Sequence, residues 1–140
     1  MIVKRIDSTQ RRRANETTSY IMDKEHDGEK LLAANVVNCF SQTLDDAQKE
    51  MSADEQACTG PGAPVAPGVG SWQTDENPTE AQAAEFVSEF LKDQGMKDHK
   101  AAWALHGNTE HIHVHIAVLR VKPEPEPGGG YKLQNFGSRV

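Results

Sequence analysis

Cysteine is scarce: only two occur among 140 residues. Cys39 and Cys58 cannot build a disulfide framework, and so low a count suits a reducing compartment. Long apolar runs are missing too. No stretch approaches the roughly 20 apolar residues that a membrane-spanning helix needs. The opening MIVKRIDSTQRRR has no apolar core for a signal peptide. The expectation is a cytoplasmic protein with no membrane span. The apolar share is low, at 36%, and the mean hydropathy is −0.66, which describes a soluble chain with a thin core. At this length there is enough of it for one modest domain but not for two.

An excess of positive charge is also missing. The net charge of −6 argues against a protein that simply coats nucleic acid, whose affinity comes from neutralised phosphates. The distribution is uneven, however. Lys4, Arg5, Arg11, Arg12 and Arg13 make the beginning basic, and Arg120, Lys122, Lys132 and Arg139 do the same near the end. The acids crowd residues 45–89. Two readings stand side by side: a basic cleft on an acidic body, or ordinary solvated faces.

Residues 1–6 alternate apolar and basic and predict a strand. A short helix is expected over 14–22, a charged turn over 26–29 and a second strand over 31–40, with Val36 and Val37 β-branched. Thr43 can cap a helix running from Leu44 towards Ala53. Residues 60–70 are rich in Gly and Pro, with Val65 and Val69 as the only strand formers, and predict a flexible loop. The next helix is the best marked. Asn77 caps it, Pro78 suits its first turn, Glu80 can close a capping box, and Gly95 stops it. Phe86, Val87, Phe90 and Leu91 line one of its faces. A strand over 101–106, a turn at Gly107 and Asn108, and a long strand over 110–121 follow. The Pro-Glu and Gly run of 123–130 reads as a linker that ends the compact part. The expected fold class is α/β (α+β): a mostly antiparallel central sheet with helices packed on its faces. The expected domain is 1–122, with 123–140 a linker and the start of a further segment.

Four of the six histidines fall within ten residues, His106-Gly-Asn-Thr-Glu-His111-Ile-His113-Val-His115. Side chains alternate along a strand, so His111, His113 and His115 share one face and Ile112, Val114, Ile116 and Val118 share the other. The apolar face must dock on the core, which turns the imidazoles outward or into a cleft. His106 sits just across the turn and can reach over the same face. Imidazoles converging in this way, with positions left open, suit metal catalysis. Neutral imidazole favours Mn, Fe, Co, Ni, Cu or Zn over Mg. The alternative is a surface strand that happens to be rich in histidine.

The segment resembles the metal motif of the conjugative relaxases, the mobilisation nucleases of the HUH endonuclease superfamily, most closely their TraI-like P class. That motif reads H-x-D-x-D-x-x-H-x-H, followed by an apolar run and an Asn. The opening MIVKRI, the segment Thr18-Ser-Tyr20-Ile-Met-Asp23, and Val36-Val-Asn38-Cys39 are similar to the family's first strand, nucleophile helix and second strand. Ser71-Trp72 and Glu76-Asn-Pro-Thr79 resemble its second motif. The likeness covers most of residues 1–123 in the correct order.

The resemblance implies an HUH-relaxase-like fold and a metal-dependent, site- and strand-specific single-stranded DNA endonuclease. Tyr20 would attack a phosphodiester at a transfer origin, leaving a 5′-phosphotyrosyl linkage and a free 3′-OH. It implies a divalent metal, Mg or Mn, or else Zn, Ni or Co, on His106, His113 and His115, with His111 a bystander. Asn108 and Glu110 would stand behind the ligands. Ser71, with Arg11, Arg12 and Arg13, would position the DNA. Relaxosome accessory proteins are the implied partners.

The sequence departs from the family at three places. Asn108 stands where an acid normally holds a ligand imidazole and raises its basicity, although Glu110 could substitute. Leu119 stands where the family has Asn. The Pro/Gly-rich residues 61–70 replace an apolar strand. Three readings therefore remain: an active relaxase domain, a degenerate relative that binds metal or origin DNA as an accessory without cutting, and an unrelated histidine-metal protein. Relaxase domains continue with further helices, so the chain is also expected to be a piece of a longer protein or a shortened homologue.

Overall fold

The computed structural model describes residues 2–5, 25–26, 29–58, 64–73, 76–107 and 112–134. Strands β1 (Ile2–Arg5), β2 (Glu25–His26) and β3 (Glu29–Val37) precede helix α1 (Leu44–Gln56). Strand β4 (Val65–Trp72), helix α2 (Glu80–Asp93) and strands β5 (Ala101–Gly107) and β6 (Ile112–Leu119) follow. Among the described residues the strands form one six-stranded sheet in the order β1-β4-β6-β5-β3-β2, antiparallel at every pairing. The expected α+β fold is present. The helix expected over 14–22 lies outside the described residues.

Strand alternation divides the core in two. On one face Ala101, Trp103 and Leu105 of β5 and Val114, Ile116 and Val118 of β6 pack with Ala83, Val87, Phe90 and Leu91 of α2. On the other face Ala102 and Ala104 of β5 and Ala117 and Leu119 of β6 pack with Met51 of α1 and Val65 of β4. Strand β6 lies between β4 and β5, so its apolar residues are covered from both sides of the sheet.

Helix α2 begins two residues later than its sequence suggests. Thr79, not Asn77, is the N-cap, and it forms a capping box with Gln82 in place of Glu80. The Gln82 amide donates to Thr79 Oγ1 at 3.1 Å, and the Thr79 amide donates to Gln82 Oε1 at 2.9 Å. Two box patterns overlap here, Asn77 with Glu80 and Thr79 with Gln82, and the second is the one that forms. The helix ends where expected. Gly95 adopts φ +72°, its amide donates to the Lys92 carbonyl, and the Met96 amide donates to the Leu91 carbonyl at 2.8 Å. These are the two bonds of a Schellman stop, with buried Met96 and Leu91 supplying its apolar contact.

The expectation of a flexible loop over 60–70 is wrong for its second half. Val65–Trp72 is a regular strand inside the sheet, paired with β1 on one side and β6 on the other. Its glycines explain both the misreading and the strand. A Cβ on Gly68 would lie 3.1 Å from the Phe90 ring, and one on Gly70 would lie 2.6 Å from the Phe86 ring. These residues are bare so that two aromatics of α2 can lie against the strand backbone. Trp72 continues the contact, edge-on to Phe86 with ring centres 5.6 Å apart. Pro67 stands one place beyond the last described β1 pair, Arg5 with Gly68, so its missing N–H breaks none of the described β1 bonds.

Past β6 the chain does not simply leave the body. Residues 123–130 form an exposed excursion, after which Leu133 bridges Val121 and Tyr131 bridges Cys58. The Gln134 side chain donates to the Gly95 carbonyl at 2.8 Å, and its oxygen lies 3.0 Å from Nε2 of the buried His99. His99 Nδ1 donates to the Leu119 carbonyl at 2.7 Å. The end of β3 is tied to the same region. Asn38, at φ 60°, donates from its side chain to the carbonyls of Lys97 and His99.

One charged cluster fastens α1 to the sheet. Lys100 Nζ lies 2.8 Å from Glu50 and 2.6 Å from Asp54, and the Glu50 carboxylate also accepts from the amides of Phe40 and Ser41. Burial pushes the Glu50 carboxyl up, but the Lys100 ammonium and those two amides outweigh it and hold the group at about 2, against an ordinary 4.5. Burial lowers Lys100, and its bonds to Asp54 and Glu50 outweigh that and hold it above its ordinary value.

Two outcomes follow. Gly70→Ala should lower stability by about 1–3 kcal/mol in denaturant unfolding, with a smaller loss for Gly68→Ala. Phe86→Ala should relieve part of the Gly70→Ala loss; strictly additive losses would contradict the packing. The depressed Glu50 carboxyl stabilises the fold above its ordinary value and stops doing so as pH falls towards 2. The raised Lys100 contributes at neutral pH and is lost only as pH climbs above its ordinary 10.5. Stability should therefore decline between pH 5 and 2. Glu50→Gln should flatten that decline and cost roughly 2 kcal/mol at pH 7.

Candidate functional site

The histidines lie on the α1 face of the sheet, at the end away from α1's charged anchor. Strand β5 places Ala102, Ala104 and His106 on that face, and β6 places His113, His115, Ala117 and Leu119 there. His106 is directly opposite His113, and His115 is opposite Ala104. The expected separation of imidazoles from the apolar residues of β6 is therefore present. Val114, Ile116 and Val118 are fully buried on the α2 side, while His113 and His115 are half-buried. His106 is completely buried.

His106 and His115 meet edge-on with ring centres 5.2 Å apart, and the His113 and His115 ring centres are 6.5 Å apart. With metal–nitrogen bonds of about 2.1 Å, two imidazoles on one tetrahedral ion hold their centres about 5 Å apart. His106 and His115 thus stand at the separation of a ligand pair, and His113 stands farther out. Among the described residues no three His, Cys, Asp or Glu side chains are grouped closely enough to hold an ion. The three imidazoles are neighbours on one face of the sheet. The donor set itself fits a divalent cation: neutral nitrogen donors on rigid central strands, two of them half-buried.

Ser71 joins this group from the neighbouring strand. It is the register partner of His113 across β4 and β6, and its Oγ lies 2.7 Å from His113 Nδ1. The sequence reading placed Ser71 in or beside a loop, and a loop has no register from which this contact could be foreseen. Had residues 65–72 been taken as a strand, alternation from Val65 would have set Ser71 on the histidine face.

Tyr20, Arg11, Arg12, Arg13, Asn108, Glu110 and His111 lie outside the described residues. The cluster of Lys100, Glu50 and Asp54 was not foreseen. Its one sequence trace is the spacing of Glu50 and Asp54 by one helical turn. Cys39 is no candidate nucleophile. Burial first, and then the Glu50 carboxylate, push its thiol up to about 11, so almost none is thiolate at neutral pH.

Residues 20–134 match the family of MobA/VirD2-like relaxases, over the nuclease domain. The chain belongs to this family. The relaxase resemblance of its motifs is thus confirmed at the level of the family, and the matched region begins at Tyr20 and runs through the returning segment. A 42-residue stretch, 30% of the chain, is 44% identical to Protein MobA of Acidithiobacillus ferrooxidans. That stretch spans 10% of the relative's own length. No solved structure matches the chain. None of the described helices is long and apolar enough to cross a membrane.

Proposed function

We propose that this relaxase-family domain nicks and rejoins one strand of single-stranded DNA at a transfer origin, with Tyr20 as nucleophile and a divalent ion held by His106, His113 and His115. The observation that supports this best is the placement of the three histidines on one face of adjacent central strands in a chain of the relaxase nuclease family. The topology supports Tyr20 as well. Strand β2 pairs with β3 beside Lys30, whose β5 partner is Gly107, next to His106. Tyr20 enters the chain five residues before β2, a tether of at most about 17 Å.

In the reaction the Tyr20 oxygen forms a bond to phosphorus while the bond from phosphorus to the 3′ oxygen breaks, and the departing 3′ oxygen takes up a proton. A phenol near pKa 10 needs its proton removed as it attacks. The ion, Mg or Mn, or else Zn, Ni or Co, supplies when bound a positive charge beside the phosphate oxygens. Arg11, Arg12 and Arg13 would offer phosphate contacts that position the strand, and Ser71 would share this role. On this reading Asn108 and Glu110 would support the ligand imidazoles. The chain works on this reading in the cytoplasm, with relaxosome accessory proteins.

A second reading is favoured by one residue. Asn108 replaces the acid that raises ligand basicity in relatives, which fits a chain that holds metal and origin DNA without cutting.

Incubation with single-stranded oligonucleotides tiling a transfer region, with Mn or Mg, should give a covalent protein–DNA adduct that Tyr20→Phe abolishes. Adduct formation by Tyr20→Phe would overturn the nucleophile assignment, and DNA binding without any adduct would establish the second reading. DNA affinity should fall about tenfold or more between 50 and 200 mM salt; equal and negligible affinity at both would remove DNA from the proposal. In a metal titration, His113→Ala should weaken binding far more than His111→Ala, and equal losses would refute the ligand assignment.

A further inference from the structure

Ser71 and His113 face each other in register on two central strands, joined by a hydrogen bond of 2.7 Å between Oγ and Nδ1. A neutral imidazole carries one proton, and only its other nitrogen has a lone pair for a metal. A hydroxyl can either donate to Nδ1 or accept from it. If Ser71 donates, the proton is on Nε2 and the ring offers no lone pair to an ion. If Ser71 accepts, Nδ1 carries the proton and Nε2 is the donor atom. The contact therefore selects the state of the ring, and only one of its two senses is compatible with ligation.

We propose that Ser71 is the positioning residue of His113: its hydroxyl accepts the Nδ1 proton, fixes that tautomer, and leaves Nε2 as the metal-binding atom. The inference rests on the reading of His113 as a ligand and deepens it. Two features carry it beyond a passing contact. The register pairing fixes both Cα positions through the β4–β6 ladder, so the bond does not depend on a mobile loop. Ser71 also contributes from β4 a restraint of the kind that an acid behind a ligand imidazole provides. A hydroxyl that accepts from the ring keeps its own proton to donate elsewhere, so the role is compatible with contact to a phosphate oxygen.

The test is a titration of the full chain with Mn or Co, run on wild type, Ser71→Ala, Ser71→Thr and His113→Ala. Imidazole nitrogen shifts of His113 are read by NMR alongside it. Ser71→Ala should weaken metal binding about tenfold and abolish the pure Nδ1–H tautomer, while thermal unfolding stays near wild type. Ser71→Thr, which restores the hydroxyl, should recover both. Unchanged metal affinity and tautomer in Ser71→Ala, with a large loss in His113→Ala, would overturn the role of Ser71 alone. No loss in His113→Ala would overturn the ligand reading, and with it this one.

Discussion

The register between β5 and β6 is the constraint on which the rest depends. His106 opposes His113 and Leu105 opposes Val114, so each ladder position presents a matched pair to one face. A slip of one residue would turn the imidazoles of β6 towards α2 and leave Val114, Ile116 and Val118 facing the other way. Moving three such side chains from core to solvent costs several kcal/mol, at roughly 1.5–3 kcal/mol for each. The apolar face thus holds the histidines in place without touching them. The placement of the imidazoles is specified by packing on the opposite side of the sheet.

The α1 face has two halves. Towards Ala101 and Leu119 it is apolar and covered by α1, which is fastened by Glu50 and Asp54 to Lys100. Towards Gly107 and Ile112 it carries the three imidazoles and Ser71. Alanines at 104 and 117 mark the boundary. Opposite His115, Ala104 extends only a methyl group, which leaves the β5 side of that ring to His106, 5.2 Å away. A large apolar residue there would improve the core and close in on the imidazoles, so the small side chains reflect a balance between the two halves.

What was legible in the sequence follows from which forces act locally. The histidine strand, the apolar stripe of α2 and the Gly95 stop depend on period and on single-residue backbone preference, and all were read correctly. The start of α2 differs from its expected place because two capping boxes overlap, and local pattern alone does not choose between them. Strand β4 was missed for a different reason. Gly68 and Gly70 look like loop residues until Phe86 and Phe90, which pack over them, are counted, and they are 16 to 22 positions away in the chain. Ser71 was named as a site residue by resemblance, but its contact with His113 needed the register of a strand that had not been recognised. The returning segment was hidden in the same way. Its hold on the body comes from Gln134, His99 and Gly95, polar groups with no periodicity to announce them.

The acidity of the chain is the remaining difficulty for a protein of this family, because a net charge of −6 repels a polyanion. The composition of the histidine cluster bears on it directly. Carboxylate ligands would cancel much of the charge of a divalent ion, whereas three neutral imidazoles leave it whole. On the proposed reading, an acidic body with a nitrogen donor set would concentrate its positive potential where the cation is held, and leave the rest of the surface unattractive to nucleic acid. On that argument the charge balance does not oppose a DNA-directed role. It makes such a role depend on the ion and on the arginines at 11–13, which is a stricter dependence than a broadly basic surface would impose.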